Sequence, residues 1–224
     1  MAFTFSTKGN SQDDASSDTI THAIAVGSGD LVVVMAKHEG SGGESITMSS
    51  SADGAADGHG TQLDHSSATL SVRFGYFLAH SAGTITFTAT FGSAVPYRRI
   101  LVFVHTHTGT ASLDGDNGAE GSGTALASGN ITTTGNDTVA FGGSGEYGSQ
   151  AISSMQINGT AADQTETPLF YLAMWSKVFT STFTGQATAT LDSGNSWLCP
   201  VIAFKDVAGG APATPTRTLM GVGT

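Results

Sequence analysis

His105-Thr106-His107 is the pair of residues in this chain best suited to hold a metal, because side chains two apart on a strand project from one face, as two neutral imidazole ligands would need. The sequence supplies no identifiable third ligand, so the pair is read as two half-exposed histidines at a strand end and no metal is assigned. Asp114-Gly115-Asp116-Asn117-Gly118-Ala119-Glu120 has the acidic, glycine-rich composition of a calcium loop. It lacks the alternating ligands closed by a distant bidentate Glu, and its flanks are strand-like, so it reads as an acidic turn. Serine, histidine and aspartate are plentiful, yet the chain has no G-x-S-x-G elbow, no H-E-x-x-H, no G-K-[ST] phosphate loop and no paired cysteines. No catalytic residue and no cofactor is therefore assigned.

The single thiol, Cys199, sits inside the apolar run Trp197 to Phe204 and is expected to be a small core residue, compatible with folding in a reducing cytoplasm. Trp175, Trp197, Tyr76 and Tyr171 also fall in apolar runs and are expected to pack inside. Tyr147 is the exception. It lies in the Gly/Glu stretch Gly142 to Gly148, read as a loop, and is the one aromatic expected to meet a ligand such as a sugar. Asn130-Ile131-Thr132 matches a glycosylation acceptor, but Met1 to Ser6 alternates like a strand and shows no secretory signal, so the match is set aside.

The elements that must carry these residues are strands. Period-two alternation and β-branched residues, bounded by Gly, Asn and Asp, mark strands from Phe3 to Ser6 through to Trp197 to Phe204, and no window sustains helical spacing. Two stretches about a hundred residues apart follow one order. The first runs from Gly29-Asp30 through Leu31 to Ala36, a Gly/Glu loop, Ile46 to Met48, Tyr76 to Ala79, Thr84 to Thr90 and Ile100 to Val104. The second runs from Asn136-Asp137 through Thr138 to Phe141, a Gly/Glu loop, Ile152 to Met155, Phe170 to Ala173, Gln186 to Leu191 and Trp197 to Phe204. Neither half reads as apolar enough to close a core alone, so the repeat predicts two similar β-units packed face to face. The expected fold is an all-β, antiparallel β-sandwich, jelly-roll-like, in one domain over residues 1–206. Ser41 to His65, the longest polar stretch, is expected to be a functional or mobile loop.

Composition narrows the partners. A net charge of −10, from 8 basic and 18 acidic residues, argues against a nucleic-acid surface. The only adjacent basic pair, Arg98-Arg99, is read as a solvated strand end or one ion pair. No apolar stretch approaches the length of a membrane span. From residue 207 the chain turns to Gly209-Gly210, Pro212 and Pro215, which disfavour packing into a sandwich and suggest an extended arm over 207–224. Leu219, Met220 and Val222 give that arm an apolar tip expected to bind a partner.

The segments Gly29 to Val34, Ala82 to Phe87, Arg99 to Val104 and Ser128 to Thr134 together resemble a pattern found in β-sandwich modules of tailed-bacteriophage virion proteins and some bacterial surface proteins. The resemblance covers most of Phe3 to Asp206. It implies a jelly-roll accessory protein of the particle, such as a capsid decoration (cement) protein or a tail or fibre component. It also implies a non-enzymatic role and self-association, with a trimer favoured at local three-fold positions of a shell. The implied partners are the major capsid protein or another virion protein, and the implied location is the virion, assembled in host cytoplasm. A carbohydrate-binding or host-adhesion module, lectin-like, is the alternative.

Overall fold

A computed structural model describes residues 3–40, 43–65, 69–78, 80–148, 150–167 and 171–207. No helix occurs among them. The first half contains β1 (Phe3–Asp13), β2 (Ser17–Val26), β3 (Leu31–Glu39), β4 (Ile46–Ser50), β5 (Gly54–Ala55), β6 (Gly58–His59), β7 (Leu63–His65), β8 (Leu70–Phe77), β9 (Gly83–Val95) and β10 (Arg98–His107). The second contains β11 (Thr110–Ala127), β12 (Ile131–Thr132), β13 (Thr138–Glu146), β14 (Ile152–Ile157), β15 (Thr160–Ala161), β16 (Gln164–Glu166), β17 (Leu172–Phe179), β18 (Thr184–Gly185) and β19 (Ala187–Val207).

All pairings are antiparallel, and the halves repeat one strand order. In the first half an inner sheet runs β1-β10-β3-β8, with β6 and β7 both on β8, and an outer sheet runs β2-β9-β4-β5. The second half has inner order β11-β19-β13-β17-β16 and outer order β19-β14-β15, because β11 and β19 are long enough to serve both layers. The far end of β11, Ala125 to Ala127, pairs Thr190 to Thr188 beyond a register shift. The expected antiparallel sandwich of two similar halves is therefore present, as two inner sheets face to face with an outer sheet behind each.

Alternation along the inner strands sends side chains to two cores. Leu31, Val33, Met35, Leu101 and Phe103 meet Val139, Phe141, Met174, Ile202 and Phe204 in a central core shared by the halves. Their neighbours Val32, Val34, Ile100 and Val102 point the other way, onto Ile24, Ile46, Phe87 and Phe91 of the first outer sheet. Trp175, Val201 and Ala203 do the same in the second half, onto Leu126, Ile157 and Leu191. Each half thus closes a core of its own, contrary to the expectation from sequence, because the inner strands are covered on both faces. That double burial explains why the runs Ile100 to Val104 and Trp197 to Phe204 are continuously apolar.

Glycine allows the tightest approach at this junction. Side chains press on β13 from both sides: a Cβ on Gly142 would lie 2.4 Å from the Trp175 ring, and one on Gly143 would lie 2.4 Å from Met35 Sδ. The supposed loop at Gly142 is therefore a strand as far as Glu146. The supposed acidic turn at Asp114 to Glu120 is also a strand, inside β11 and paired with β19. The polar stretch after Ser41 contains β4 to β7 among its described residues.

Inner-sheet edges are covered by the opposite half. On β1, Lys8 pairs with Glu166 of β16 at 3.0 Å and Asn10 donates to the same carboxylate at 2.8 Å. On β11, Asp116 accepts from the backbone and hydroxyl of Thr61 at 2.8 and 2.7 Å, and Leu63 lies against Gly118. Covering an edge in this way removes a template for uncontrolled strand pairing.

Candidate functional site

A cluster of buried charge lies on the seam between the halves, where β3 and β13 end and β10 begins. Lys37 and Glu39 share the face of β3 that looks toward the second half, two residues apart. The Lys37 ammonium is 0% exposed and donates to Glu39 Oε1 at 2.6 Å and to the Glu146 backbone carbonyl at 2.5 Å. The Tyr171 ring covers it, 4.9 Å from Nζ, and the Arg99 guanidinium lies 5.1 Å from the same ring. The buried Glu146 carboxyl accepts the Tyr171 N–H at Oε1, 3.1 Å away, and its Oε2 has no partner.

Burial dominates the electrostatics. It pushes the Lys37 ammonium down to about 8, against the attraction of Glu39 and Glu146. It pushes Glu146 up to about 8, against Lys37 and the Tyr171 N–H and reinforced by Asp192 and Glu39. Tyr171 holds φ at +81°, a left-handed conformation uncommon for a bulky residue. Such strain persists only where surroundings impose it. Here the Glu146 carboxylate accepts the Tyr171 N–H and the Glu146 N–H donates to the Tyr171 carbonyl.

Beside this cluster, Arg98 and Arg99 are both buried, contrary to the expected solvated strand end. Arg98 pairs with Asp13 at 2.7 Å and Arg99 with Asp14 at 2.6 Å, so each makes an ion pair. Arg98 also donates to the carbonyls of Ala15 and Thr19, closing the corner between β1 and β2. A polar cleft opens there, lined by Ser11, Gln12, Asp13, Thr19, Thr21 and Arg98. At the same pole Tyr147 is 48% exposed, as expected, and Tyr97 is 44% exposed with φ at +50°.

The histidine pair falls at the opposite pole. His105 is buried, lies within 3.2 Å of Ser176 Oγ through Nε2, and stacks edge-on against Phe5 and Phe141. His107 shares a hydrogen bond with the Gly109 carbonyl. Among the described residues, no group of three or more His, Cys, Asp or Glu is placed to hold a metal. Asp114 and Asp116 serve as hydrogen-bond acceptors, Asp114 for Thr134 and Gly135 and Asp116 for Thr61. Trp175, Trp197 and Cys199 are core residues; the Cys199 thiol is pushed up by burial. Leu219, Met220 and Val222 lie outside the described residues.

Lys37, Glu39 and Glu146 were not singled out by sequence reasoning. One signal was available. Aligning β3 with β13 sets Glu39 against Glu146 as the last residue of each strand, so the repeat brings two carboxylates to one seam. No family model, curated protein or solved structure matches the chain.

Proposed function

We propose that this chain is a non-enzymatic structural protein of a tailed-phage virion, most specifically a capsid decoration (cement) protein that stabilises the shell through subunit contacts. The observation that supports this reading is polarity. The turns that follow β1, β3, β9 and β13 gather at one pole, where Lys37 meets Glu146. Both described chain ends gather at the other, where Phe3 pairs with His107 and Val207 with Thr110. A rigid twin sandwich rooted at one pole leaves the other free, a geometry suited to an accessory subunit that docks by its terminal arm. The orders β1-β10-β3-β8 and β2-β9-β4-β5 support a jelly-roll winding for each half. The partners in this reading are a second and third copy of the chain, together with the major capsid protein or another virion protein.

A second reading, carbohydrate binding or host adhesion, draws support from Tyr97 and Tyr147, two exposed aromatics at the free pole. One experiment separates the two. Purified particles lacking the protein are incubated with the full chain and with a chain ending at Val207. The docking reading expects the full chain to sediment with particles and the shortened one to remain in the supernatant while melting at the same temperature. Equal sedimentation of both, or of neither, contradicts it. Saturable glycan binding that is lost in Tyr147→Ala carries the second reading instead.

A further inference from the structure

The inner-sheet edges at β1 and β11 are covered by the opposite half, but β2 ends its sheet and pairs only with β9 among the described residues. In the second half the matching position is held by a short stretch of β11, Ala125 to Ala127. Ala23 of β2 lies opposite Thr86, whose N–H and carbonyl are both engaged by Ser51 on the other side of β9. In an antiparallel ladder both backbone groups of a residue point the same way, so those of Ala23, and by alternation those of Thr21 and Ala25, face away from β9. Thr19 belongs to the same series, and its carbonyl is taken by Arg98. Thr21, Ala23 and Ala25 therefore present N–H and carbonyl groups along an open edge, and their small side chains are exposed beside it. Edges of this kind are ordinarily blunted by lysine, proline or a cover. From Thr19 to Val26 the strand has neither lysine nor proline, and its one ionisable side chain, His22, is turned onto Gly9 and Ser11 of β1.

We infer that residues 216–222 of a second copy of this chain add to the open edge of β2 as a further antiparallel or parallel strand. The inference rests on the docking reading above and names the surface that receives the arm. The segment Thr216-Arg217-Thr218-Leu219-Met220-Gly221-Val222 follows Pro215 and contains no proline, so every residue in it can donate to a ladder. As a strand it places Thr218, Met220 and Val222 on one face. That face matches the buried row Ile20, Ile24 and Val26 of β2 and extends it. Charge agrees: Arg217 is the one charged side chain after Asp206, whereas all 18 acidic residues lie at or before that position, Asp18 exposed at the start of β2 among them. The second copy is favoured over the chain's own arm by where the described chain stops. Val207 pairs with β11, on the flank where β11 meets Thr61, while β2 lies behind β1, on the flank where β1 meets β16. Residues 208–215 span at most about 29 Å fully extended, enough to leave one subunit and meet the edge of the next. A contact of arm on edge is head-to-tail, and it closes into a ring when the rotation between copies permits.

The test is sedimentation of the full-length chain with amide hydrogen exchange read on the same samples. Raising the concentration is expected to produce oligomers and to slow exchange at Thr21, Ala23 and Ala25 by about tenfold or more. Ala23→Pro removes an N–H that the ladder with β9 does not use, and Ala23→Lys, at an exposed position, puts a charge on the edge without touching the backbone. Both variants are expected to melt near wild type and to associate at least about tenfold more weakly. Association of wild-type strength in the folded Ala23→Lys chain overturns the inference, as does a wild-type chain that stays monomeric. Protection of these amides that is independent of concentration and lost when the chain ends at Val207 assigns the edge to the chain's own arm and overturns the second copy. Full-length chain that sediments with particles yet never self-associates overturns this inference alone, whereas association through β2 without binding to particles upholds it and overturns the docking reading.

Discussion

Burial of a side chain in this molecule comes either from its own apolar strand or from the half or corner packed against it. Trp175, Trp197 and Cys199 are core residues because their own strands are apolar. Arg98, Arg99, Lys37 and Glu146 carry charge at strand ends, positions that sequence patterns assign to solvent, and the opposing half or a neighbouring corner buries them. His105 belongs with them, and its consequence is measurable. Burial pushes its imidazole down to about 4, with the charge of Asp163 opposing. The unfolded chain takes up this proton near pH 6.5, whereas the folded chain refuses it until about pH 4. In that window the unfolded state binds more protons, so stability falls as pH drops from about 6.5 to 4, by up to ~3 kcal/mol from this residue. Urea titrations at pH 7 and pH 4.5 should show a smaller loss of stability for His105→Gln than for wild type. An equal loss in both would mean that the imidazole is not held neutral.

At the scale of elements, apolar alternation located most strands but failed for those built of glycine and acids. The sequence of β11 is depleted in the residues that favour strands, and it reads as a turn. Its order comes from pairing with β19 over most of its length, and its glycines admit large neighbours: a Cβ on Gly121 would sit 2.4 Å from the Trp197 ring. Glycine in β13 plays the same part from both faces, so Gly142→Ala is predicted to be destabilising by ~1–3 kcal/mol, as overpacking of a dense core usually is. The urea midpoint of that variant checks the figure, and wild-type stability would show that the Trp175 ring moves aside freely. A short motif that also escaped notice marks the repeat most sharply. Ala55-Ala56-Asp57 and Ala161-Ala162-Asp163 do the same work: Ala56 N donates to Met48 and Ala162 N to Met155, while the two carboxylates accept from Leu78 N and Val178 N.

For the whole molecule, the order of runs in the sequence was enough to show a duplicated antiparallel sandwich, because each half repeats the same alternation and turns. The four-layer arrangement was not legible, since a continuously apolar strand shows only that both faces are covered and not by what. Thr69 and Tyr171, the residues before β8 and β17, share positive φ, so even the backbone irregularities are duplicated. The turns after β1, β3, β9 and β13 lie at one pole and both described chain ends at the other, and the proposed role draws its support from that arrangement. An electron cryomicroscopy reconstruction of tailed-phage particles assembled in the presence of this chain tests it most directly. The account predicts density for the twin sandwich on the outside of the shell at local three-fold positions, with Val207 directed toward the capsid or a neighbouring copy and Tyr147 directed outward. A particle without that density, or a sandwich seated with Tyr147 against the shell and Val207 in solvent, would contradict it.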